Sequence, residues 1–312
     1  MSDIFFKSAA AFSPGHITGF FKICNHDDPH QKGSVGAGIV LDKGIRSFVT
    51  PFKGSGVSVL KLNGQISSCS TVFSAVSMIS EIAEKKYGAQ FHFEIQEMSN
   101  LPVGSGFGMS AAGTLSTVFA INHSLKLDLP VSELVEIAHI AEVTNGSGLG
   151  DVAGESLGCL VVRKKPGGPK FGKYYSLAVP PKKVFCLVLG ELSTKNVISH
   201  PVHISAINNA GDLALQTFLK NQTLTSFMEE SYRFTKDVGL LSSTAKKAID
   251  SIPSEFGCGA QAMIGNTVFA MTNHFDSQED ETEAEEILLS LLRQHGTVYE
   301  CCIGSAGSHI CL

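Results

Sequence analysis

Leu101-Pro102-Val103-Gly104-Ser105-Gly106-Phe107-Gly108-Met109-Ser110-Ala111-Ala112-Gly113 is the stretch on which the reading of this sequence turns. It follows a segment in which Phe91, Phe93 and Ile95 alternate with His92, Glu94 and Gln96, the period-two pattern of a strand. It runs into Ser110 to Asn122, which reads as a helix. Glycines in alternation let the backbone bend until successive N–H groups point inward, and a helix start adds unpaired donors and the positive end of the dipole. The expected result is an anion cradle, with the Ser105 and Ser110 hydroxyls facing the same cavity. A tight strand-to-helix turn without a ligand is the alternative; the density of glycines favours phosphate.

Other phosphate loops fit less well. A Walker A loop ends in Lys-Ser or Lys-Thr, which this stretch lacks. Gly167-Gly168-Pro169-Lys170-Phe171-Gly172-Lys173-Tyr174 has the G-x-x-x-x-G-K spacing, but Tyr174 offers no small hydroxyl, a proline sits inside, and a strand follows. A dinucleotide fingerprint would be followed by helix, strand and an acidic residue about 20 positions on, whereas two helical stretches follow here. Ala112 replaces the last glycine of a hydrolase G-x-S-x-G elbow.

Downstream, Val131 to Val143 reads as a helix carrying Glu142 near its end, and Asn145-Gly146-Ser147-Gly148-Leu149-Gly150-Asp151 follows it. Beside a phosphate cradle, one carboxylate can hold Mg²⁺ and another can orient or deprotonate an attacking hydroxyl. Standing alone, Asp151 would read as part of a helix C-terminal cap. Upstream, Ala11 to Phe21 reads as a turn with polar His16 and Thr18 among large apolar residues. Lys32 to Gly38 reads as a loop before Ile39-Val40-Leu41. His26-Asp27-Asp28-Pro29-His30 and His200-Pro201-Val202-His203 suit exposed turns better than metal sites.

The rest of the chain sets the frame. Strand signals occupy Lys53 to Leu62, Val184 to Leu189, Ala262 to Met271, Val298 to Ile303 and Ile310 to Leu312; helices are expected over Thr71 to Ala83 and within Ile204 to Asp250. Arg163 to Lys170 reads as a basic hairpin loop, and the acidic run Glu279 to Glu286 as the solvated start of a helix ending near His295. At 312 residues two modest domains are expected, 1–180 and 181–312. A hydrophobic content of 43% with 17% charged residues marks an ordinary globular chain. A net charge of −5, from 24 Lys and Arg against 29 Asp and Glu, argues against nucleic acid. No apolar run is long enough to span a membrane and Met1-Ser2-Asp3-Ile4 does not open a signal peptide, so a cytoplasmic protein is expected. The eight cysteines stand in apolar surroundings and read as buried free thiols.

Taken in order, Pro14-Gly15, the Pro102 to Ala112 loop and the Gly146 to Asp151 loop resemble the motifs of the GHMP kinases, the superfamily of galactokinase, homoserine kinase and mevalonate kinase. Pro102, Gly106, Gly108, Ser110, Ala111 and Ala112 match its P-x-x-x-G-L-G-S-S-A-A loop, while Phe107 and Met109 depart from it. Gly146-Ser147-Gly148-Leu149-Gly150-Asp151 resembles its Gly-Ser-Gly-x-Asp context with one residue inserted, and Gly257 to Gly265 a blurred third motif. Together with Gly33 to Gly38, the run Pro14 to Phe21 is similar to the archaeal branch that phosphorylates pantoate. The resemblance implies an α+β fold, with an N-terminal domain like ribosomal protein S5 domain 2 and a ferredoxin-like C-terminal domain. It implies transfer from ATP to (R)-pantoate, giving ADP and 4-phosphopantoate for coenzyme A synthesis. Pro102, Gly104, Ser105, Gly106, Gly108, Met109, Ser110 and Ala111 would bind ATP, Ser110 and Glu142 would hold Mg²⁺, and Asp151 would position or deprotonate the hydroxyl. His16, Thr18 and Ser34 are the expected pantoate contacts, with Arg163 or Lys195 for its carboxylate. A homoserine or mevalonate-type substrate, a nucleotide-binding protein without catalysis, and a homodimer are left open.

Overall fold

The computed structural model describes residues 6–190, 201–263 and 265–311. Its N-terminal half is built on a long antiparallel hairpin, β1 (Ala9–Cys24) and β2 (Gly33–Lys53). Both strands run through segments that the sequence reads as a turn, 11–21, and a loop, 32–38. The reason is burial: 17–21 and 33–41 are buried residue after residue, so the alternation that betrays a half-exposed strand is missing. Pro14-Gly15 is not a turn either. It lies inside β1 at a register shift between Pro14 and His16, an irregularity that accommodates a residue without an N–H to give.

Around that hairpin an eight-stranded sheet forms in the order β12-β1-β2-β5-β3-β4, where β3 is Val59–Leu62, β4 Gln65–Ser67, β5 Phe91–Ser99 and β12 His309–Cys311. The strand expected from Lys53 thus starts only at Val59. β6 (Leu160–Lys165) pairs with the far half of β2, and β7 (Lys173–Leu177) with β6. Arg163 therefore sits in a strand, not in the hairpin loop. Helices α1 (Ser70–Tyr87), α2 (Met109–Ser124) and α3 (Val131–Asn145) cover one face through a core that includes Val49, Phe93, Ile95, Val76, Leu115 and Leu134. Gly88 and Gly146, both in the left-handed region, end α1 and α3.

A second, antiparallel sheet has the order β11-β8-β10-β9: Thr297–Cys302, Lys183–Val188, Thr267–Thr272 and Gly257–Gln261. The strand expected over Ala262 to Met271 is thus two strands with a turn at 262–266. Along β8, Val184 and Cys186 face one core while Phe185 and Leu187 face another. The second core takes α7 (Ser243–Asp250) and α8 (Gln278–Arg293). The first takes α5 (Pro201–Phe218) and α6 (Leu224–Val238) and continues into Ile17, Phe20 and Phe21 of β1, so one apolar core joins the two sheets. The acidic run opens α8 as expected, capped by Ser277 Oγ accepting from the N–H groups of Glu279 and Asp280. All eight cysteines are free. No described helix is long and apolar enough to cross a membrane.

Candidate active site

The glycine stretch becomes the wall of a cavity between the two sheets, with Gly104, Gly106, Phe107, Gly108, Met109, Ser110 and Ala111 on one side. Gly108 is the N-cap of α2 at φ 70°, in the left-handed region, so the first N–H groups of the helix open toward this wall. Gly106 is at φ 92°, and a Cβ there would lie 3.0 Å from Gly265 Cα. A side chain would therefore strain the loop and press it against the β9–β10 turn. That turn holds the loop from behind: the Thr267 hydroxyl donates to the Ser105 carbonyl at 2.6 Å, and Met263 N–H to the Thr18 carbonyl at 3.0 Å. The blurred third motif thus lies against the loop. Ser105 is buried and, like Pro102, is not on the cavity wall, contrary to the expectation that the Ser105 and Ser110 hydroxyls share it.

The opposite side brings together Thr18, Ser34, Glu142, Ser147, Gly148, Gly150, Asp151 and Arg163. Gly146 turns the chain back after α3, the N–H and hydroxyl of Ser147 both donate to the Glu142 carbonyl, and α4 (Asp151–Glu155) begins within a few residues. Asp151 is accordingly the first residue of a short helix rather than part of the cap of α3. Its Oδ1 lies 2.8 Å from His16 Nδ1.

His16 is fully buried behind Asp151 and is not on the cavity wall, so the structure does not give it the substrate-facing position expected of it. A Cβ on Gly38 or Gly154 would strike its ring, and its own N–H donates to the Phe107 carbonyl at 2.9 Å. Burial lowers the imidazole pKa, against the raising effect of Asp151. A neutral ring with its proton on Nδ1 donates to Asp151, and its Nε2 has no partner among the described residues. Thr18 and Ser34 do face the cavity, and the Ser34 hydroxyl donates to the Leu149 carbonyl at 3.3 Å.

Three buried ionisable groups complete the site. Burial raises the Glu142 carboxyl well above the usual range, with Asp151 adding to the effect; its Oε2 has no partner. Glu155, one helical turn after Asp151, is fully buried with both oxygens unpartnered and is likewise raised by burial first and Asp151 second. Arg163 is 2% exposed, and its Nε and one terminal nitrogen have no partner. Burial lowers its pKa, offset by Asp151 and Glu142, and a guanidinium stays charged. It is the cationic side chain on the cavity wall among the described residues; Lys195 and His200 lie outside them. No cluster able to hold a metal through three His, Cys, Asp or Glu occurs among the described residues; His30 instead pairs with Glu136. Reading the sequence missed Glu155, for which the four-residue spacing from Asp151 was the available signal.

Residues 71–159 match the GHMP kinases N terminal domain family. The chain is 34% identical to a pantoate kinase of Methanocaldococcus jannaschii over 84% of its own length and 92% of that protein. It is 32% identical to a pantoate kinase of Thermococcus kodakarensis, covering 90% of this chain and 91% of that one. Among solved structures, a phosphotransferase related to the CoA biosynthesis pathway superposes with TM-score 0.81 at 27% identity, covering 98% and 99% of the two chains. A homoserine kinase from Cytophaga hutchinsonii, at 17% identity and TM-score 0.66 over 99% and 100%, shares the fold. With relatives of this identity along most of its length, the chain belongs to the GHMP kinase superfamily, in the family of the pantoate kinases.

Proposed function

We propose that the protein phosphorylates (R)-pantoate with ATP, giving 4-phosphopantoate and ADP in coenzyme A biosynthesis. The observation that carries this reading is Arg163, a buried cation with unpartnered N–H groups on the wall that faces the anion cradle. Such a group requires an anion, and the substrate of the curated relatives is a hydroxy acid, with a carboxylate for Arg163 and a hydroxyl for Asp151. Thr18 and Ser34 supply further polar contacts.

In this reading the backbone donors from Gly104 to Ala111 hold the ATP phosphates, which no protein carboxylate on that wall repels. The Asp151 carboxylate orients the pantoate hydroxyl and takes its proton as the oxygen bonds to the γ-phosphorus and the bond to the β-phosphate oxygen breaks. His16 is a positioning residue: its Nδ1–H fixes Asp151 Oδ1 without lending it a full positive charge. Glu142 Oε2 and the Ser110 hydroxyl suit Mg²⁺, since a buried carboxylate without a partner calls for a cation. Bound there, the ion would neutralise charge on the β- and γ-phosphates. The division into an ATP-binding unit, 1–180, and a second unit, 181–312, fits the two sheets, with β12 crossing back to the first. Soluble substrates on both sides of the reaction suit a cytoplasmic enzyme.

A panel of (R)-pantoate, homoserine and mevalonate with ATP and Mg²⁺, read by ADP formation, tests the reading. Release of ADP with pantoate alone is expected. Equal release with homoserine or mevalonate, or none with any of the three, would discard it.

A further inference from the structure

Exposed large apolar side chains are concentrated in one part of the molecule. Phe48, Phe52, Val57, Val59, Ile66 and Met98 all lie on or beside the strands β2, β5, β3 and β4. The alternation explains why they gather. Val49, Leu60, Phe93 and Ile95 point to the core under α1, α2 and α3, which leaves the even-numbered residues of β2 and β5 on the opposite face. There Arg46 stands opposite Met98, Phe48 opposite Gln96, Thr50 opposite Glu94, and Phe52 opposite His92, with the last two rings stacked at 5.3 Å. Monomeric proteins seldom leave an apolar patch of this kind in water.

We propose that this sheet face is a two-fold homodimer interface. Two observations select a second copy of the chain as its occupant. One is charge: Arg46 lies one row to one side of the Phe48–Gln96 pair, and Glu94 one row to the other. A two-fold axis through that pair in the plane of the face sets Arg46 of each copy against Glu94 of the partner subunit, so a single symmetry operation satisfies both charges. The other is area. The face spans six neighbouring strands, β12 to β4, and four outward rows on the central pair. At strand spacings of ~4.8 Å and ~6.8 Å between rows it offers roughly 600–800 Å² per copy, close to the ~800 Å² per partner of a standard stable interface. Phe48 is the central anchor, with Met98 and Phe52 flanking it. The inference rests on the sheet and not on the choice of substrate.

The test is the mass of the full-length chain, by light scattering or sedimentation, across on the order of a hundredfold in concentration. A dimer is expected. Phe48→Glu should give a monomer with an unchanged circular dichroism spectrum. Arg46→Glu and Glu94→Arg should each weaken association by about ten- to a hundredfold, and the doubly reversed chain should return to within about threefold of the original. That recovery separates an interface from a variant that merely folds badly. A chain that is monomeric throughout, including one that instead captures another protein, overturns the proposal. So does a dimer that survives Phe48→Glu, or a doubly reversed chain that does not recover. Because mass is read without substrate, these outcomes are independent of whether the kinase reading stands.

Discussion

The two walls of the cavity are made by different means. The ATP-side wall is backbone: glycines and a helix start contiguous in sequence between Gly104 and Ala111. The acceptor-side wall is side chain: Thr18 and Ser34 on the long hairpin, Glu142 on α3, Asp151 on α4 and Arg163 on β6, with His16 behind them. A backbone site can be shared by any member of a fold that keeps the glycines, because it reads phosphate and nothing else. Side chains gathered from distant strands can change one at a time, and they are where substrate choice has to lie. If that contrast is right, substitutions on the two walls should separate cleanly in the kinetics.

The largest effect is expected at Asp151. Asp151→Asn keeps the shape and loses the base, so kcat should fall by ~10²- to 10⁴-fold while the ATP KM barely moves. Steady-state rates with each substrate varied in turn check this; a kcat within a few-fold of the original would reduce Asp151 to a structural role. Arg163→Met should come next. A hydrogen bond to a charged group is worth ~1.5–3 kcal/mol, which corresponds to a rise in pantoate KM of roughly 10- to 150-fold, with ATP KM unchanged. Thermal melting should accompany it, because Glu142 and Asp151 lose a buried counter-charge.

His16 refines the contrast from behind the wall. His16→Leu should lower kcat by ~10- to 100-fold with little change in either KM, the usual cost of losing a group that orients a catalytic one. His16→Asn, whose amide can donate from nearly the Nδ1 position, should recover most of the loss. In an Asp151→Asn background His16→Leu should cost almost nothing more, whereas a purely structural histidine would cost the same in both. The smallest expected effect is at Glu142→Gln, which should weaken apparent Mg²⁺ affinity by about tenfold at saturating ATP, measured by metal titration of the rate.

How far the site could be read from the sequence follows the same divide. The cradle was legible because its three glycines and its helix are contiguous, and local geometry alone fixes what Gly108 at φ 70° does. Glu142 and Asp151 were legible because a glycine loop after a helix brings both beside it. Arg163 was placed in a loop because Lys164, Lys165 and Lys170 surround it, although it alone of these is buried. The role of His16 was hidden for another reason: only the fold brings residue 16 within 2.8 Å of residue 151. The hairpin itself was missed because complete burial erases the alternation that marks a strand, and its glycines look like a loop when they serve close packing, as at Gly38 against His16.

The central claim, a backbone cradle for ATP facing a side-chain pocket for a hydroxy acid, is tested most directly by one comparison. Initial rates of ADP formation with varied (R)-pantoate and varied ATP should be measured for the unaltered chain and for Arg163→Met. The account predicts ADP release that depends on pantoate, and a variant in which pantoate KM rises by roughly 10- to 150-fold while ATP KM stays within about twofold. ADP release that ignores pantoate, or a variant whose ATP KM rises as much as its pantoate KM, would contradict it.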